Sequence, residues 1–107
     1  MNQAWVMLFI AGLLEIGWAM GLKATQGFTR PAPTILTLLA LTGSLLLLAR
    51  AVQVLPIGTA YAIWVGIGAA GTVVFGILLH GEGVSPLKLF SLMAVLGGIV
   101  GLKLSSG

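Results

Sequence analysis

A chain of 107 residues that is 59% hydrophobic and 7% charged, with mean hydropathy +1.17, cannot cover a water-facing surface, since a soluble domain carries about 25% charged residues. The formal charge of +3 sets five basic residues, scattered singly, against two acidic ones, so no basic stripe exists to bind nucleic acid; basic residues at the ends of membrane spans explain the charge better. The absence of cysteine excludes disulfides and thiolate metal sites.

A membrane span takes roughly 20 helical residues, so the chain holds four spans, short loops and no room for an ATPase or receptor domain. An ion gradient or a partner must then supply any driving force. Met1 to Ala4 lacks a basic segment, and Glu15 interrupts what would be the apolar stretch of a signal peptide, so the N-terminus reads as a mature span.

The expected fold is all-α, one four-helix transmembrane domain over residues 1–107. The first helix covers about 4–22 and is closed by Lys23. A polar connection with Gly27, Arg30, Pro31 and Pro33 follows, its breakers separating the first two spans. The second helix covers about 34–55 and stops at Pro56, with Arg50 near enough to its end to snorkel toward the headgroups. The third covers about 58–79, and a turn from His80 to Pro86 leads to the fourth, about 87–104, with Lys88 and Lys103 at its boundaries. Long apolar runs without period-2 alternation leave no competing β reading.

Loop charges set orientation, and here they barely decide it. With the N-terminus inside, Arg50 and Lys103 lie inside, and Lys23, Arg30 and Lys88 lie outside. One reading is a single fixed topology. The other is insertion in both orientations and antiparallel pairing, which mimics the inverted repeats of larger transporters.

Glu15 is the one ionisable residue at the centre of a span. Placing a carboxylate there costs at least about 2.5 kcal/mol, a cost tolerated where the residue faces a cavity or a partner. Hydrocarbon favours the neutral acid and an adjacent cation favours the carboxylate, so proton and cation compete for one group. The alternative is a structural acid hydrogen-bonded between helices.

Gly12 and Trp18 share the face of Glu15 at i−3 and i+3; Gly12 offers room and Trp18 an aromatic platform for a cation, where otherwise it would be packing or an interfacial anchor. Tyr61 and Trp64 form a second aromatic pair at helical spacing, each needing a hydrogen-bond partner if buried. Gly66 and Gly68 follow, where a bend would act as a hinge. Ser44 either bonds its own helix backbone or holds the carboxylate. In the fourth helix Ser91, Ala94, Gly97, Gly98 and Gly101 are small, and Gly97 with Gly101 suits close helix contact, either within the chain or in a dimer. His80 and Glu82 alone make no metal site.

The segments Gly12-Leu13-Leu14-Glu15-Ile16-Gly17-Trp18-Ala19-Met20-Gly21-Leu22-Lys23, Gly27-Phe28-Thr29-Arg30 and Leu55-Pro56-Ile57-Gly58-Thr59-Ala60-Tyr61-Ala62-Ile63-Trp64 resemble the small multidrug resistance transporters, over essentially the whole chain. The Trp three residues after the Glu resembles the guanidinium-exporter branch. That resemblance implies a dual-topology antiparallel homodimer in the bacterial inner membrane, exchanging guanidinium for protons by alternating access and using no cofactor. It implies Glu15 as the shared proton and substrate carboxylate, a pocket of Gly12, Trp18, Ser44, Tyr61 and Trp64, and a dimer contact at Ser91 and Gly98. The chain departs from the branch at Val65, where a hydroxyl residue is frequent, at Gly17, in place of a β-branched residue, and at Ser91, where relatives can carry glycine.

Guanidinium is planar and always protonated, and it matches a carboxylate with two parallel hydrogen bonds. A broader exporter of quaternary ammonium or hydrophobic cations would rely on ring faces and apolar room instead. A third reading is a structural or proton-conducting membrane subunit, for which aromatic residues around the acid are unnecessary.

Overall fold

The computed structural model describes residues 3–105. Met1 and Asn2, part of the segment weighed as a leader, lie outside the described residues, as do Ser106 and Gly107 at the end of the expected domain. The described chain forms four α-helices, α1 (Gln3–Ala24), α2 (Pro31–Ala51), α3 (Ile57–His80) and α4 (Pro86–Ser105). Each is long and apolar enough to cross a membrane.

The boundaries follow from local chemistry. α2 begins at Pro31, three residues before the sequence expectation, because the first turn needs no amide hydrogens and accepts proline; Arg30 is its extended N-cap. It ends at Ala51 rather than near Leu55. The next four residues tighten into turns in which Gln53 N–H donates to Arg50 O and Val54 N–H to Ala51 O, since the residue before Pro56 is steered out of helical geometry.

The connection after α1 is built on Thr25, fully buried. Its hydroxyl donates to Leu22 O at 2.7 Å and accepts the Phe28 amide at 3.1 Å. α3 closes on Gly81 in the left-handed region, φ 65°, where a residue without Cβ carries no penalty. Beyond it Lys88 Nζ donates to Gly83 O at 2.8 Å and lies 4.0 Å from Glu82 Oε1, tying the α3–α4 turn together.

α1 packs against α2 and α3, and α3 also carries α4. The buried core gathers at one end of the bundle: Trp5, Leu8 and Ala11 of α1, Ala51 at the end of α2 and Leu55 beyond it, Ala60, Ile63 and Trp64 of α3, and Ile99 of α4. At that same end Lys103 Nζ sits 4.8 Å from the Trp5 ring centroid, joining the last turn of α4 to the first of α1. Toward the other end the helices separate into clefts. α4 is the least buried of the four helices and α3 the most; lipid or another chain must cover the exposed apolar surface of α4.

Candidate functional site

Glu15 lies just past the packed end, where α1 faces α3. Gly68 of α3 makes that position possible, because the space a Cβ would fill there holds the Glu15 carboxyl group. A cavity of about 380 Å³ opens alongside, lined by Glu15, Trp18 and Ala19 of α1 and by Val65, Gly68, Ala69, Thr72 and Val73 of α3.

Three polar atoms of this lining are buried without a hydrogen-bond partner: Glu15 Oε1, Trp18 Nε1 and Thr72 Oγ1. Buried polar atoms are satisfied as a rule, and each exception calls for an explanation. Trp18 Nε1 can only donate and an ionised carboxylate can only accept. Together they form a small polar cleft in apolar walls, able to take a cation with hydrogen-bond donors. Among the described residues no group of three or more His, Cys, Asp or Glu stands close enough to hold a metal.

The other expected pocket residues lie elsewhere. Ser44 is fully buried at the meeting of three helices, where it donates to Ala11 O at 2.6 Å and accepts from Trp64 Nε1 at 2.9 Å. It therefore bonds neither its own helix nor the carboxylate. Ala11 is one turn before Glu15, and its carbonyl is the one to which the Glu15 amide is directed in an α-helix. Ser44 and Trp64 thus brace the turn that carries Glu15.

Tyr61 stacks at a tilt on Trp64, ring centroids 5.7 Å apart, and is 55% exposed; it faces outward from the chain. The room over Gly12 is taken by Ile67, whose side chain lies where a Cβ would go, so this glycine serves close α1–α3 approach. Ile99 comes to 3.0 Å from where a Cβ on Gly66 would lie, and α3 stays helical through Gly66 and Gly68. Ser91 lines a cavity of about 320 Å³ between α3 and α4, shared with Ser85 and Lys88. Gly97, Gly98 and Gly101 have open space above them.

Thr72 is the polar lining residue that sequence reading missed. It is the one hydroxyl of α3 beyond Tyr61, four residues after Gly68 and seven after Val65, spacings that return to one helix face.

The profile of the family described as Small Multidrug Resistance protein matches residues 3–95 of the chain. A protein of Citrobacter freundii named guanidinium exporter is 54% identical over 104 residues, 97% of this chain and 99% of the relative. Proteins of the same name from Salmonella typhi and Yersinia pseudotuberculosis are each 55% identical, over 97% of this chain and 99% and 100% of the relatives.

Proposed function

This chain belongs to the small multidrug resistance family, a multi-pass protein of the bacterial inner membrane, and from that premise we propose that it exports guanidinium in exchange for protons. The observation that carries the reading is the buried, unpartnered Glu15 carboxyl oxygen beside the unpartnered Trp18 indole N–H in one cleft, in a chain 54% identical to proteins named guanidinium exporter.

Glu15 serves both ions. As a carboxylate it takes two parallel N–H bonds from the flat cation, while Trp18 donates its N–H to a carboxylate oxygen or offers its ring face to the bound charge. When the cation leaves, a proton from the outer side neutralises Glu15, and the carboxyl crosses back uncharged. Bound cation and bound proton are mutually exclusive, which couples the two fluxes.

Access alternates between the two sides in a homodimer of antiparallel copies. Three features support this arrangement: the near balance of basic residues between the two faces, the uncovered surface of α4 with open glycines at 97, 98 and 101, and the outward ring of Tyr61. In such a pair Tyr61 of one copy reaches toward the site of the other, and Ser91, Gly97, Gly98 and Gly101 lie at the contact. The Val65 and Val73 walls favour a second reading, a broader exporter of quaternary ammonium or other hydrophobic cations.

Purified protein in liposomes separates the possibilities. Under an imposed proton gradient it should move guanidinium, with proton flux in the opposite direction, and a bulky tetraalkylammonium should compete weakly. Strong competition selects the broader exporter, and failure to move either cation removes the transporter reading.

A further inference from the structure

Four other threonines of this protein spend their hydroxyls on the helix or turn in which they sit. Thr25, Thr29, Thr34 and Thr42 donate to Leu22 O, Gln26 O, Arg30 O and Leu38 O, the usual back-bond of a helical hydroxyl three or four residues along. Thr72 is different. Its Oγ1 is buried, has no hydrogen-bond partner, and belongs to the wall of the Glu15 cleft. A hydroxyl in hydrocarbon that forgoes its own backbone leaves a polar group without compensation, unless a ligand completes it.

What would complete it follows from the atoms around it. A hydroxyl has one donor and two acceptor sites, so it can accept an N–H from a cation and direct its own proton to a carboxylate oxygen. The opposite wall supplies Glu15 Oε1, also unpartnered. Guanidinium carries N–H groups on all three nitrogens, and a carboxylate engages two of them in the paired arrangement. The remaining N–H groups need acceptors, and an indole N–H cannot provide one.

We infer that the Thr72 hydroxyl is a further substrate contact, accepting an N–H of the cation that Glu15 leaves free and so selecting for cations with donors on more than two sides. This rests on the guanidinium reading above and adds a specificity-determining residue to it.

The test compares wild type, Thr72→Val, Thr72→Ala and Thr72→Ser in proteoliposomes, reading guanidinium uptake as KM and maximal rate. Loss of a hydrogen bond to a charged group predicts a KM about tenfold higher in both Val and Ala variants, with maximal rate kept, and near-normal KM in the Ser variant. Unchanged KM in Val and Ala would overturn the inference, as would a Ser variant as impaired as Val, a KM change in Val but not Ala, or a fall in maximal rate alone. If wild type itself moves no guanidinium, the functional reading fails first. If wild type transports normally and the variants do too, only the role of Thr72 is lost.

Discussion

Ser44 and Trp64 are joined by a buried hydrogen bond of 2.9 Å, in which the indole donates to a hydroxyl that itself donates to Ala11 O at 2.6 Å. One serine of α2 therefore locks α3 to α1 a single turn from Glu15.

Ser44→Ala leaves the buried Trp64 N–H without an acceptor, a loss of about 1–3 kcal/mol. The expected outcome is a lower thermal midpoint in detergent, with a much smaller effect when Trp64→Phe is already present, because the two side chains share one interaction. Additive effects would show that the bond does not stabilise the bundle.

Gly68→Ala places a methyl group where the Glu15 carboxyl lies. Overpacking of this kind costs about 1–3 kcal/mol, relieved by displacing Glu15 or by parting α1 from α3. Guanidinium uptake should fall on the order of tenfold or more, as misplaced reacting groups do, with helical content intact. Gly17→Ala is the control, since open space surrounds that position. Equal activity in both variants would dissolve the link between Gly68 and Glu15.

If proton and cation share Glu15, acidity opposes substrate binding. Below the titration of this carboxyl, each further unit of acidity should raise the apparent KM for guanidinium roughly tenfold, as one-site competition requires. Glu15→Gln should stay folded and lose proton-coupled exchange. A wild-type KM independent of pH, or coupled transport in the Gln variant, contradicts the shared site.

If two copies pair through α4, Gly97→Leu should disturb that contact, since within one chain nothing lies within 4 Å of the position a Cβ would take there. Any loss of assembly is then an effect between copies. Chemical crosslinking in membranes should show a smaller dimer fraction than wild type, and an undiminished one would place the contact on another face.

Much of this protein was legible before any coordinates. Span number followed from apolar run length, because a bilayer of fixed thickness sets helix length. Glu15 announced itself because a lone carboxyl at mid-span is costly, and Trp18 because helical spacing puts it on the same face. Cross-helix partners were not legible. In a membrane helix every face is apolar, so periodicity does not mark the side that packs. Gly12 was expected to leave room and instead admits Ile67. Ser44 was expected near the carboxylate or its own backbone and instead serves Ala11 and Trp64. Thr72 gave no signal beyond being a hydroxyl in an apolar run.

The sequence by itself determined that this chain crosses the membrane four times with one acid at the centre, because the energies of hydrocarbon transfer depend on residue type and on little else. Only the tertiary structure decided which atoms meet that acid. Contacts across helices depend on rotation and approach distance, set here by glycines whose missing side chains let a neighbour in.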